Sequence, residues 1–265
     1  SGDYTGEDPR AALWSPMPFF NERENRWNLF YVAYRAKPDR YGASGEKLAW
    51  YRNYDGTIWR AVSHVPGKEG LDGPYVDVRP ILAPGPDSGY WEGLQGTDSF
   101  YLYPVGDEFY AFYGSAHTHI QPCPAWLVGL AKSSHMAGPW QRIRELNPVD
   151  FGLDAENPVV IQLDNGIYAT VFDLTSGRNV PTDDASQRFG YAFSKDGIHW
   201  SPAKTILLPE KIKKWWAELR TPVSLIPEGN DIYTVYFGAF PAGTGKSPAQ
   251  SFQALGLARL KLVKK

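Results

Sequence analysis

"TDSFYLYPVGDEFYAFYGS" (residues 97–115) reads as two strands rich in aromatic residues, joined at Gly106-Asp107. Aromatic residues suit a pleated, half-buried surface. Gly and Asp accept the positive φ of a tight hairpin turn. The same pattern recurs in "PMPFFNERENRWNLFYVAY" (16–34), "NPVVIQLDNGIYATVFD" (157–173) and "TPVSLIPEGNDIYTVYFGA" (221–239). Their turns carry Asn25, Asp164-Asn165-Gly166 and Gly229-Asn230-Asp231. Aligned on these turns, Phe30, Tyr110, Tyr168 and Tyr233 take one equivalent position.

A third strand is expected after each hairpin: "KLAWYRN" (47–53), "LVGLAKS" (127–133), "RFGYAFS" (188–194) and "ALGLARLKL" (254–262). In three of the units a turn and a Trp follow: "YDGTIW" (54–59), "MAGPW" (136–140) and "KDGIHW" (195–200). The repeat is thus a four-stranded antiparallel unit of about 60 residues, the pattern of a β-propeller blade. Residues 1–265 are expected to form a single all-β propeller domain of the five-bladed type, with four blades evident. The fourth unit stops at its third strand. Two readings stay open: residues 1–13 close the ring, or a first blade is missing from this chain. Helix patterning is confined to "PEKIKKWWAEL" (209–219), at most a short helix on a loop.

A chain of 265 residues has room for a substantial core. A net charge of -2 gives no basic field for nucleic acid or an anionic membrane. No run approaches the roughly 18 apolar residues of a membrane span. With Cys123 alone, an internal disulfide is excluded. Aromatic residues make up 15% of the chain, and their rings suit the apolar faces of sugars. The chain starts at Ser1 rather than Met, so a removed targeting segment and a periplasmic or extracellular location are expected.

Several short motifs resemble the five-bladed propeller glycoside hydrolases, the clan of family 43 arabinanases and xylosidases and family 32 fructosidases. "LWSPMPFF" is similar to the start of the family's second blade, "GTDSFY" to its third-blade Asp motif, and "DAENPVV" to its fourth-blade Glu motif. "SKDGIHW" is similar to a hairpin common in these enzymes and is one residue shorter than the sialidase Asp-box. The resemblance implies that Glu156 is the general acid and Asp98 the residue that tunes and orients it. It also implies a first-blade Asp as base and cleavage with inversion. Asp8, in "GEDPR", is the one early Asp-Pro and the candidate base, although six residues before Trp14 is too close to head a blade. The resemblance implies no cofactor; some relatives hold an ion on the propeller axis, and no metal ligands are identified in this sequence.

The residues support the same chemistry. A propeller points the start of each innermost strand into one mouth of a central tunnel, so Asp98 and Glu156 would converge there. Glycoside hydrolysis needs two carboxyl groups flanking the scissile bond, one protonated and one ionised. Crowded like charges and apolar walls keep one of them protonated. Leu153, Pro158 and Val159 flank Glu156 and suit it to hold a proton; Asp154 is the back-up acid. Candidate substrate-binding residues are Trp91, with Tyr90 beside it, Glu92, His117, Glu218 and Arg220. Glu218 is taken to head the last blade in the place of Glu156. Each has a plainer reading: a strand-end charge for Glu156, a turn cap for Asp98, inter-blade packing for Trp91, an ion pair for Glu218 with Arg220. His117, His119 and Cys123 lack a second ligand pair with metal spacing. Asp196 is expected to stabilise its own hairpin.

The expected activity is hydrolysis of an arabinofuranosyl or xylosyl-like linkage in a plant or algal oligosaccharide or polysaccharide. The alternatives are a glycoside phosphorylase, with Arg178, Arg188 and Arg220 as candidate phosphate ligands, and a non-catalytic carbohydrate-binding propeller.

Overall fold

The computed structural model describes residues 10–35, 55–117, 125–174, 188–208, 216–241 and 254–263. The chain is all-β, of the β-propeller class: the described residues form four antiparallel sheets, each a blade. It divides into two compact units, 1–148 and 149–265.

In the first unit, blade I comprises β1 (Arg10–Asn21), β2 (Arg26–Arg35), β3 (Thr57–Ser63) and β4 (Tyr75–Leu82). Blade II comprises β5 (Asp98–Val105), β6 (Glu108–Ala116), β7 (Trp126–Ser133) and β8 (Gln141–Arg142). In the second unit, blade III comprises β9 (Ala155–Gln162), β10 (Tyr168–Leu174), β11 (Arg188–Ser194) and β12 (Lys204–Leu207). Blade IV has β13 (Trp216–Gly229), β14 (Ile232–Pro241) and β15 (Ala254–Lys261). In every sheet the strands pair in chain order, as consecutive hairpins do. Short 3-10 turns occur at Lys68–Asp72 and Arg144–Leu146.

Three expectations change. The third strand of blade I is Thr57–Ser63, which pairs with β2 through Asn28↔Val62 and Val32↔Ile58. "YDGTIW" therefore leads into that strand rather than following it, and residues 47–53 lie outside the described residues. That strand's one charge, Arg60, is buried and is held by Asn28 at 2.6 Å and Glu24 at 2.9 Å. Trp216–Leu219 belongs to β13, not to a helix; residues 209–215 lie outside the described residues. Finally, turn alignment slips because the hairpin loops differ, spanning residues 22–25, 106–107, 163–167 and 230–231. By strand register, Phe30 matches Phe112, Val171 and Phe237 instead of Tyr110, Tyr168 and Tyr233.

The core of the first unit lies between blades I and II. Phe100 sits at its centre, 5.5 Å from Phe30 and edge-on to Trp140 at 5.0 Å. Such pairs contribute about 0.5–1.5 kcal/mol beyond burial. In the second unit Phe151 stacks on Phe172 at 4.8 Å, and Phe189 meets Phe237 of the next blade at 5.5 Å. The Trp residues of "MAGPW" and "KDGIHW" follow β7 and β11 as expected, and Trp140 donates from Nε1 to the Met136 carbonyl at 3.2 Å.

Candidate active site

Each blade carries a bulge near the start of its innermost strand. In blade III, Glu156 pairs with Asp173 and Val159 with Val171, so Asn157 and Pro158 stand against one residue. In blade II the flanking pairs are Asp98↔Gly114 and Tyr101↔Phe112; in blade I, Trp14↔Val32 and Met17↔Phe30; in blade IV, Leu219↔Ala239 and Pro222↔Phe237. The residue after the first pair takes a positive φ in three blades: Ser15 at 51°, Ser99 at 46° and Asn157 at 51°. L-residues adopt this conformation at a cost of about 1–3 kcal/mol, and it clusters at functional sites. Bulges bend the strand and re-aim its side chains.

The bulge defines one strand position, occupied by Trp14, Asp98, Glu156 and Leu219. Two of the four are carboxylates, and both are buried, at 7% exposure each. Glu218 falls one residue before this position and pairs with Phe240. The expectation that it matches Glu156 is therefore corrected: by register Leu219, not Glu218, stands at the equivalent position. Leu219 fills the place, 4% exposed. Arg220 follows it, half-buried, where blades II and III have Ser99 and Asn157.

Asp98 is held from two directions. The backbone N–H of Ser99 donates to Oδ1 at 2.7 Å, and Gln95 Nε2 donates to Oδ2 at 2.6 Å. Gln95 Nε2 also lies 3.1 Å from the hydroxyl of buried Tyr34, whose ring meets half-exposed Trp14 edge-on at 6.3 Å. The segment leading to Asp98 is fixed by the Asp55-Gly56 turn. Asp55 N–H donates to Leu94, Gly56 N–H to Gln95, and Thr97 N–H back to Gly56, at 2.7–3.0 Å. A side chain at Gly56 would strike the Gln95 carbonyl at 2.9 Å.

Around Glu156, Asp154 is also buried and immediately precedes β9. Asp173, 5% exposed, lies directly across the strand pair. Asn157 Nδ2 donates to both Asp173 oxygens, at 3.2 and 3.3 Å. Sequence reading did not single out Asp173; its signal was the lone charge closing the apolar strand "YATVFD".

Trp91 and Glu92 pack closely against their neighbours. Trp91 is 3% exposed, with its ring 5.5 Å from that of Tyr113. Glu92 is fully engaged: Arg142 Nε and Nη2 donate to it at 2.9–3.2 Å, Gly89 N–H at 2.8 Å and the Tyr113 hydroxyl at 3.1 Å. Burial lowers the affinity of the Arg142 guanidinium for its proton, and contact with Glu92 more than restores it. Burial, then the charge of Glu92, pushes the Tyr113 phenol up. Trp91, Glu92 and Arg142 also line a cavity of about 420 Å³, together with Asp87, Tyr90 and Arg144, and Tyr90 is 89% exposed.

His117 follows β6 half-buried, and Gly93 packs against its backbone. Asp8, His119, Cys123 and Arg178 lie outside the described residues. Among the described residues no group of three or more His, Cys, Asp or Glu could hold a metal ion, and no helix is long and apolar enough to cross a membrane.

No family model matches the chain, and no curated protein matches it by sequence. Solved structures do. A thermostable family-43 glycoside hydrolase is 14% identical with a TM-score of 0.62, over 94% of this chain and 69% of its own. An endo-arabinase from Bacteroides thetaiotaomicron is 11% identical with a TM-score of 0.61, over 92% and 74%. A family 117 glycoside hydrolase from the marine bacterium Zobellia galactanivorans is 14% identical with a TM-score of 0.60, over 97% of this chain but 63% of its own. At these identities the likeness is one of fold, and in fold this chain is similar to the propeller glycoside hydrolases.

Proposed function

We propose that the protein is a glycoside hydrolase that cleaves an arabinofuranosyl or xylosyl-like linkage in a plant or algal glycan with inversion. The observation that carries the reading is the repeated bulge: at one strand position it sets a buried carboxylate, Asp98 in blade II and Glu156 in blade III. Packing alone does not call for charge there, since Leu219 fills the same position in blade IV. The fold likeness to glycoside hydrolases supports the same reading.

In this reaction Glu156 protonates the departing glycosidic oxygen while a base takes a proton from the attacking water. Asp98, held by Ser99 and Gln95, orients the acid and tunes it. Inversion places acid and base about 6.5–9.5 Å apart, with the water between them. Asp8 is the proposed base. Arg220 and His117 are proposed to bind substrate hydroxyls. Such polymers are met outside the cytoplasm, so we place the protein in the periplasm or outside the cell.

The test is an oligosaccharide panel in phosphate-free buffer, with the first-formed anomer read by NMR. Glu156→Gln should lower kcat by about 10²–10⁴-fold, the usual share of general acid catalysis, with the fold intact by circular dichroism. Unchanged turnover overturns the acid assignment. Azide should restore activity to Asp8→Ala by replacing the attacking water. Cleavage only when phosphate is added would instead mark a phosphorylase, to which Arg188 and Arg220 are suited. Binding without cleavage would mark a carbohydrate-binding propeller.

A further inference from the structure

The loop from blade I to blade II forms a cavity with the outer strand of blade II. Gly89 N–H donates to Glu92 Oε1 at 2.8 Å, and Glu92 N–H returns to the Gly89 carbonyl at 3.0 Å. This closed turn carries Tyr90 and Trp91. Two arginines clamp the loop before it: Arg142 Nη2 donates to the Ala83 carbonyl at 2.9 Å and Arg144 Nη2 to the Pro86 carbonyl at 3.1 Å. A loop held in this way spares a ligand the cost of ordering it.

The cavity, about 420 Å³, falls in the size range of small-ligand pockets. One donor in its wall has nothing to bond. Trp91 is 3% exposed, and among the described residues no acceptor takes its indole Nε1–H. Buried indole N–H groups ordinarily have a partner. Gly89 leaves this one uncovered, because a Cβ there would stand 2.6 Å from Nε1. Asp87 Oδ2 accepts from Arg142 Nη1 at 2.8 Å, and Oδ1 takes no hydrogen bond among the described residues. Asp87 and Glu92 balance Arg142 and Arg144, so the wall has no net charge with which to select an ion. The arrangement fits a neutral ligand that donates and accepts hydrogen bonds and offers an apolar face to the exposed Tyr90 ring. A sugar has all three properties.

Asp98 lies elsewhere on the blade. A Cβ on Gly114 would stand 3.6 Å from that of Asp98, so Asp98 projects on the Gly114 side of the sheet. Tyr113, its neighbour on regularly paired β6, projects to the other side and donates to Glu92 in the cavity wall. Arg142 stands on β8, three strands out from β5, or roughly 14 Å across the sheet.

We propose that this cavity is a second, non-catalytic site that binds a neutral glycan chain. Tyr90 stacks on a sugar ring, the Trp91 indole donates to a hydroxyl, and Asp87 Oδ1 accepts from another. The choice of sugar rests on the glycan reading above; the site does not.

The Trp91 indole N–H reports binding directly. In the full chain with ¹⁵N-labelled tryptophan, its NMR signal is one of ten and is assigned by its loss in Trp91→Phe. Xylotetraose and arabinotetraose are titrated into Glu156→Gln, so that no turnover consumes them. At least one should move the Trp91 signal saturably. Tyr90→Ala, which removes an exposed ring and leaves the fold intact, should raise the midpoint about tenfold or more. Arg144→Ala, which releases the loop, should raise it as well. A Trp91 signal unmoved by either sugar at tens of millimolar overturns the proposal. So does a midpoint unchanged in Tyr90→Ala, or an equal shift with inorganic phosphate alone. A saturable shift in a protein that cleaves no glycan would sink the hydrolase reading and leave this site standing; cleavage by wild type with the Trp91 signal unmoved would do the reverse.

Discussion

Arg142 donates through Nε to both carboxylate oxygens of Glu92, at 2.9 and 3.2 Å, and both side chains are 3% exposed. Removing one partner of such a pair strands the other charge in the interior, at a cost of about 3–5 kcal/mol. Glu92→Gln and Arg142→Met are each expected to lower unfolding free energy by about that much. Denaturant titration checks it, and the double variant should recover part of the loss. A Glu92→Gln protein as stable as wild type but unable to bind sugar would restore Glu92 to a binding role.

Asp98 depends on Gln95 for the donor to Oδ2. A hydrogen bond to a charged group contributes about 1.5–3 kcal/mol. Gln95→Met should therefore lower kcat about tenfold or more, and Asp98→Asn about 10²-fold. The measurement is steady-state kinetics on whichever oligosaccharide the wild type cleaves. A rise in KM with kcat unchanged would show that Asp98 binds substrate and does not tune the acid.

Gly129 on β7 faces Tyr113 on β6, and a Cβ there would meet Trp91 at 2.6 Å and Tyr113 at 2.7 Å. Both rings are buried and cannot retreat. Gly129→Ala should destabilise by about 1–3 kcal/mol, the usual cost of overpacking. Gly190 faces Phe172 in the same manner in blade III and should behave alike. Thermal unfolding of the two variants checks both.

Asp196 closes the "SKDGIHW" hairpin. Burial pushes its carboxyl up, but hydrogen bonds from the His199 ring, from the backbone of His199 and Ile198 and from Ser194 outweigh it and hold the carboxyl well below the usual range. A carboxyl lowered on folding stabilises the protein above its unfolded value, about pH 3.9, and that contribution is lost as pH falls further. Asp196→Asn should flatten the acid side of the stability–pH curve and leave activity intact, because the turn is solvent-exposed. An unchanged acid slope would show that the carboxylate adds nothing there.

Much of the architecture is legible in the sequence because it is written in local chemistry. The turn residues at Gly106-Asp107 and Asp164-Asn165-Gly166 need positive φ or tight bends, and the aromatic strands beside them need a partner sheet. Those two requirements are met within a few residues of chain, so the blades and the strand starts carrying Asp98 and Glu156 can be read directly. The third strand of blade I is a different case. "KLAWYRN" and "TIWRAVS" both carry strand composition, and only pairing with β2 selects the latter.

The site itself is decided by register. In the sequence Glu218 stands near the start of the last blade as plausibly as Glu156 near the start of the third, yet the bulge sets Leu219 in that place. Trp91 and Glu92 have the composition of a sugar-binding loop, and only the fold brings Tyr113 and Arg142 against them. Asp173 becomes visible only once β10 lies against β9. The sequence by itself therefore determined the hairpin of each blade and the strand starts that carry Asp98 and Glu156. Only the tertiary structure decided which residues face one another, because cross-strand pairing joins positions far apart in the chain and a slip of one residue turns every side chain to the opposite face.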